Sequence, residues 1–364
     1  MSEDRGRARP QLIVLARESR GLSQSALAYQ IGVSQGTLSK IENGQMPAAQ
    51  EVVEKLSDVL NYPAEFFFED RSERNLPISF YRKRAAVKTS TVRAIRARIN
   101  ILRFHVLKLL QSVDIPECRL PSVNLAEYGG SPSRIARELR IRWHLPRGPI
   151  ENLTRTLEDA GVIIVRCDFG TKQVDAISLY ESTDSLPPMI FVNESIPGDR
   201  LRFSLAHETA HLMLHHHLPL PSEEIEDEAN EFAAEFLMPA SDIRNFLSRV
   251  TLKKLATLKP HWGVSIQALL MRASQLGQLS ERQRRYLWMQ VSASGYKTEE
   301  PLPIPLEEPA LMTELIQTHA VDLAYDDAAL SKLLNLELAE FRSQYRAGTP
   351  KLRLLRLARH RQRA

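Results

Sequence analysis

The sequence predicts an α+β protein, predominantly helical, with an all-α head, a small mixed unit after it and a helical C-terminal region. Three observations predict this. Short apolar-periodic segments, stopped by Gly and opened by Ser, fill residues 11–68. A Pro-free run, RLRFSLAHETAHLML (200–214), sets two histidines four residues apart just after three short β-rich runs. Amphipathic patterns then resume beyond Ile243. The 364 residues allow two or three domains, and 43% hydrophobic with 25% charged residues is the balance of a soluble globular chain. No apolar run approaches the roughly 20 residues of a membrane helix, and the polar start MSEDRGRARP lacks the apolar core of a signal peptide. Cys118 and Cys167 have no CxxC spacing, so two unpaired thiols in a reducing cytoplasm are expected.

In the head, Leu12, Ile13, Leu15 and Ala16 form the apolar side of a first helix that Gly21 ends. Ser23 caps a second helix carrying Ala26, Leu27 and Ile31, and Gly32 stops it. Ser34 caps a third, Gln35 to Asn43, with Leu38 and Ile41 inward; Pro47 opens a fourth through Val52, Val53, Leu56 and Leu60, closed by PAEFFF (63–68). Two short helices joined at Gly32-Val33-Ser34 are a helix-turn-helix arrangement, whose second helix enters a major groove.

The wording RGLSQSALAYQIGVSQGTLSKIENGQ closely resembles the Xre/Cro-like repressor domain, a lambda-repressor-like fold, over about sixty residues. The resemblance implies that Gln24, Gln35, Gly36, Thr37, Ser39 and Lys40 face a double-stranded DNA operator. It also implies a buried Arg17–Glu42 ion pair and, by analogy, a homodimer on paired half-sites. Gln suits bidentate contact with adenine, and Ser, Thr and Lys reach phosphates or base edges. Gly36 has no side chain to read with.

Residues 71–103 carry ten Lys or Arg against one acid, Glu73. RKR (82–84), Arg93, Arg96, Arg98 and Arg103 stand out, the last set on a helix expected from Ser90 to Ser112. Ile95, Ile99, Leu102, Val106, Leu109 and Leu110 give that helix an apolar face. Its basic side either adds phosphate contacts or is the solvated side of a connector. Residues 114–130, interrupted by Pro and Gly, read as a loop. Helices are expected from Ser133 through Trp143 and from Ile150 to Ala160, and Gly161 ends the second. GVIIVRCDF, DAISLY (175–180) and PMIFVN (188–193) read as strands of a small sheet.

His207 and His211, four apart on a helix, share one face and can ligate one tetrahedral Zn²⁺. Glu208 sits where its carboxylate meets a metal-bound water instead of the metal and takes its proton. The third ligand has two sources. His217 stands where a metzincin would place its last His, but Leu214 occupies the position where that scheme needs Gly. His215 continues the face of the pair yet lies two turns from His207; the plain reading of His215, His216 and His217 is a solvated helix end. The other source is EEIEDEANEFAAEFLMP (223–239), amphipathic through Ile225, Ala229, Phe232, Ala233, Phe236 and Leu237, with six acids among residues 223–231. One inward Glu completes a His₂Glu set: Glu226, which has Asn230 one turn on to orient a ligand, or Glu228 as the alternate.

HETAH, preceded by RLRFSLA and followed by E-x-x-x-N-E-F-A-A-E-F-L-M-P, resembles the ImmA/IrrE metallopeptidases. The resemblance extends upstream through Trp143, LPRGPI (145–150) and PMIFVN, and fades beyond about Gly277. It implies a zincin-like α+β peptidase core of gluzincin type, with His207, His211 and Glu226 on zinc and Glu208 as general base. It also implies a protein substrate, Xre-type repressors being the expected class.

Beyond Ile243, VSIQALLMRASQLG (264–277) is amphipathic with Ser265 as cap, EEPLPIPLEEP (299–309) reads as an extended linker, and two further helices are expected in 310–346. The tail KLRLLRLARHRQRA (351–364) holds six basic residues and no acid, and is read as frayed. The expected organisation is a DNA-binding head at 8–69, a basic connector at 70–145, a peptidase unit at 146–277 and a C-terminal helical region at 278–364. The functional expectation is a cytoplasmic transcriptional regulator whose zinc metalloendopeptidase cleaves a repressor-like partner. The alternative is a transcription factor whose peptidase fold acts only as a sensor or dimerisation module.

Overall fold

The computed structural model describes residues 7–70, 87–180, 186–215, 223–346 and 356–357. The head consists of α1 (Pro10–Ser19), α2 (Gln24–Gln30), α3 (Gln35–Glu42) and α4 (Gln50–Leu60), closed by a 3₁₀ turn at Ala64–Phe68. Ser23 and Ser34 accept hydrogen bonds from the amides of Ala26 and Thr37, at 3.1 and 3.0 Å, and so start α2 and α3. Gly32 lies at φ +71°, a left-handed turn that lets α3 set off across α2. The buried Arg17 guanidinium grips Glu42 at 2.6 and 3.0 Å, tying α1 to the end of α3.

Next comes α5 (Thr89–Leu109), then β1 (Val113–Asp114), a 3₁₀ turn at Leu125–Tyr128, α6 (Pro132–Arg142) and α7 (Leu153–Asp159). The stretch read as a loop therefore begins in a strand, because β1 pairs antiparallel with β5 (Arg356–Leu357). Helix α7 starts later than expected because the Asn152 side chain, not Pro149, caps it, taking the Arg155 amide at 2.7 Å.

β2 (Ile163–Cys167), β3 (Ala176–Leu179) and β4 (Met189–Asn193) form a sheet of order β2-β4-β3, with β4 parallel to β2 and antiparallel to β3. Alternate side chains serve two cores. Ile163, Val165, Phe191 and Ile177 face one that includes the head, α5 and the C-terminal helices. Ile164, Ile190, Val192 and Ala176 face the other, built from α6, α7, α8 (Gly198–Ala210), α9 (Glu223–Leu237) and the helices that follow. Those are α10 (Ala240–Ile243), α11 (Leu252–Trp262), α12 (Ile266–Gln275) and α13 (Glu281–Ala293). Three helices, not two, occupy 310–346: α14 (Leu311–Val321), α15 (Asp327–Leu334) and α16 (Leu338–Tyr345). The extra break is Asn335, which ends α15 in the left-handed region at φ 55°.

Helix α5 is a core element packed on α1, α14 and α15, so its basic residues mostly meet protein groups. Arg96 reaches Glu18 at 3.4 Å, Arg98 donates to the Ser19 carbonyl at 3.0 Å and the Asp168 carbonyl at 2.5 Å, and Arg103 is buried. Arg93 alone of this set stays exposed. RKR (82–84) lies outside the described residues, as does the basic tail apart from 356–357.

The segment read as a linker is tied down along its length. Glu300 takes the amide of Ile266 at 2.7 Å and, with Asp199, neutralises the fully buried Lys259. Glu307 pairs with Arg202 and accepts the Thr154 amide at 2.7 Å, and Glu308 pairs with Arg166. A Cβ at Gly198 would collide with the carbonyls of Ile304 and Pro305, so the strap lies directly on the start of α8. No helix among the described residues is long and apolar enough to cross a membrane.

Candidate metal centre

Helix α8 runs beneath the sheet and packs against β3, β4 and α9. Its last residues pass into a wider π-helical turn over His211–His215, so all three histidines His207, His211 and His215 fall on the side facing α9. His207 Nε2 and His211 Nε2 approach to 3.0 Å. From α9, Glu226 brings Oε2 to 3.5 Å of His207 Nε2 and Oε1 to 3.4 Å of His211 Nε2. The ligand atoms of these three residues all lie within 4.8 Å of one another.

The outer hydrogen bonds decide which nitrogens carry protons. His207 Nδ1 is 3.0 Å from Asn230 Oδ1, an acceptor, so Nδ1 holds the proton and the Nε2 lone pair points at the cluster. His215 Nε2 is 2.9 Å from Glu228 Oε2 and donates to it. Burial, reinforced by His211 and His207, pushes the His215 pKa down to about 3, so its ring is neutral and its Nδ1 accepts. His211 Nδ1, 2.9 Å from that atom, then donates, and the His211 Nε2 lone pair also points inward. Two lone pairs and a carboxylate thus converge where only a cation satisfies all three. A tetrahedral Zn²⁺ with bonds of about 2.0–2.1 Å has ligand-to-ligand edges of about 3.3 Å, close to the separations found here.

Glu228, the alternate third ligand, is on His215 and not on the pair. His215 is buried, so the reading of this helix end as solvated does not hold at that position; α9 covers it. His216 and His217 lie outside the described residues. Glu208 is buried beside the cluster, and its Oε2 accepts both the Ser178 amide at 2.8 Å and the Ser178 hydroxyl at 2.7 Å. The Ser178 amide therefore points away from β4, and the outward edge of β3 faces Glu208. Sequence reasoning missed Ser178, since a lone Ser in the strand DAISLY carries no motif. It also missed the His215–Glu228 couple, which needs the π turn.

On the head, Gln35, Gly36 and Lys40 are exposed, with Thr37 and Ser39 half-buried. Gln24 turns partly inward: it donates to Glu42 at 2.8 Å and accepts from Gln35 at 2.5 Å, so the Arg17–Glu42 pair steadies Gln35. Thr37 Oγ1 sits 2.8 Å from Ser34 Oγ at the start of α3, and Ser39 accepts from Asn43 at 3.3 Å.

Two family models match the chain: a helix-turn-helix domain at residues 13–67 and an IrrE N-terminal-like domain, peptidase M78, at 157–274. No curated protein gives a match. The first covers α1 to the 3₁₀ turn of the head, and the second covers the sheet, the histidine helix and α9. The chain thus joins a segment similar to Xre/lambda-repressor-like helix-turn-helix domains to a segment similar to the IrrE/ImmA-like peptidase M78 domain.

Proposed function

We propose that the chain is a DNA-binding transcriptional regulator whose second domain is a zinc-dependent endopeptidase, acting in the cytoplasm on a repressor-like protein. The convergence of two inward Nε2 lone pairs and the Glu226 carboxylate, with Glu208 anchored beside them, carries this reading. His207, His211 and Glu226 would hold the ion. Bound zinc supplies Lewis acidity at the scissile carbonyl and lowers the pKa of water towards about 7. Ser178 holds one Glu208 oxygen with two hydrogen bonds, which fixes the carboxylate as a proton acceptor for the attacking water. The same group then returns that proton to the departing amine. The part of the outward edge of β3 that Glu208 does not occupy would give an extended peptide a strand to pair with, placing its backbone next to Glu208. The head, as a dimer on paired half-sites, would bring this activity to promoters.

The test is to express wild type and Glu208→Gln in the host cell and compare protein fragments and transcripts. A repressor fragment made only by wild type supports the peptidase and identifies its substrate. Equal fragments, with transcripts shifted equally by both, would leave the second reading, a regulator whose peptidase fold is a sensor or dimerisation module. One observation favours that second reading: the head and the sheet share a core, with Arg98 bridging Ser19 and Asp168.

A further inference from the structure

A groove of about 1110 Å³ adjoins the metal centre on its Asn230 side. It is lined by Asp175, the residue before β3, by side chains of α9 and α12, and by Lys297. Its apolar lining includes Phe203, Ala234, Ala268 and Met271, the last 46% exposed. Asn230 both lines the groove and holds His207, so the groove lies one side chain away from the cluster. Successive strand residues advance about 3.3 Å. A peptide paired along β3 and passing Ser178 therefore reaches Asp175, and the groove, within about three or four residues.

The charges around the groove differ in how far they are already matched. Arg200 is paired with Asp175 at 2.5 Å, Arg272 with Glu235, and Arg137 with the same Glu235 at 3.4 Å. Glu231 accepts two hydrogen bonds from Ser133. Among the described residues, Arg244 and Lys297 have no carboxylate partner; Arg244 donates only to the Leu276 carbonyl, at 3.1 Å. Asp227 and Glu231 are the lining acids with no cationic partner among them, and both sit on α9 within one turn of Asn230. Away from α9 the lining thus combines apolar side chains with two cations, Arg244 and Lys297, that no carboxylate among the described residues neutralises.

From this geometry we infer that the groove selects substrates. It takes an extended segment that places an apolar side chain on the apolar lining and, a few residues from the scissile bond and always on the same side, an Asp or Glu near Arg244 and Lys297. The inference rests on the peptidase reading and names the chemistry of its substrate. Apolar area supplies the contact, and the carboxylate is chosen by complementarity of charge.

The test uses a peptide pool made by digesting the host proteome, with cleavage sites read by mass spectrometry. It compares zinc-loaded wild type, Glu208→Gln and the double variant Arg244→Glu/Lys297→Glu. The same pool is also passed over immobilised Glu208→Gln, with and without the double charge reversal, and the retained peptides are sequenced. The expected result is cleavage by wild type and none by Glu208→Gln, with Asp and Glu enriched on one side of the bond beside an apolar residue. The reversed groove should lose that preference by on the order of tenfold, in favour of Lys and Arg. Cleavage without acidic enrichment, or enrichment that charge reversal leaves unchanged, overturns the inference and leaves the peptidase intact. Should wild type cut nothing that Glu208→Gln leaves whole, the peptidase reading fails, and retention decides the groove. Acid-rich peptides lost on charge reversal would uphold it as a binding site; identical retained sets would sink it.

Discussion

The two faces of the three-stranded sheet do different work. The face towards α8 and α9 looks onto a chain of hydrogen-bonded polar groups that runs from the exposed Asn230 through the buried His207, His211 and His215 to the half-buried Glu228. Both faces carry apolar side chains, but the opposite one meets no such chain of histidines: Phe191, Val165 and Ile163 join the head, α5 and the C-terminal helices in one core. Chemistry on the first face depends on a few directional contacts; coupling across the second depends on non-directional packing. A substitution beside the first face should therefore change one property, whereas one on the second should change several together.

The largest expected effect is on the second face. Phe191→Ala should cost about 3–5 kcal/mol, and denaturant unfolding should show head and peptidase domain losing stability in one transition. Separate transitions, with the head unmoved, would break the comparison. Beside the first face, Asn230→Ala removes the group that fixes the His207 tautomer and should weaken zinc about 10–100-fold, measured by competition with a chromophoric chelator, while operator binding stays unchanged. Further from the sheet, Lys40→Ala should weaken DNA binding about evenly across sequences and reduce the salt slope by about 1. Zinc affinity should not move.

The smallest effect concerns Glu158, which joins the two sides by accepting the amides of Ala310 and Leu311 at the start of α14. Burial raises its pKa from 4.5 to about 7. Because the folded-state value lies above the unfolded one, its contribution is fully present below about 4.5 and is lost as pH rises through about 7. Wild type should thus lose thermal stability between pH 5.5 and 8 relative to Glu158→Gln. A difference in Tm between the two proteins that is the same at both pH values would contradict this assignment.

The head was legible almost residue by residue, because caps at Ser23 and Ser34 and the stop at Gly32 act locally. HETAH and the acidic helix were legible for the same reason: i, i+4 spacing settles which side chains share a face. Ser178 was not legible, since its role depends on the edge of β3 lying over Glu208. Residues 299–309 misled for a related reason. Pro-rich composition indicates an extended chain, but Glu300, Glu307 and Glu308 find partners far away in sequence. Likewise α5 displayed its arginines as a basic face, and only tertiary packing shows Arg98 and Arg103 turned onto protein.

The central claim is that His207, His211 and Glu226 gather one metal ion while Asn230 and the His215–Glu228 couple order them from outside. Its most direct test is zinc per chain, by elemental mass spectrometry, in wild type, Glu226→Ala and Glu228→Ala purified side by side. The account predicts about one zinc in wild type, loss in Glu226→Ala and retention, at weaker affinity, in Glu228→Ala. Retention in Glu226→Ala with loss in Glu228→Ala would contradict it.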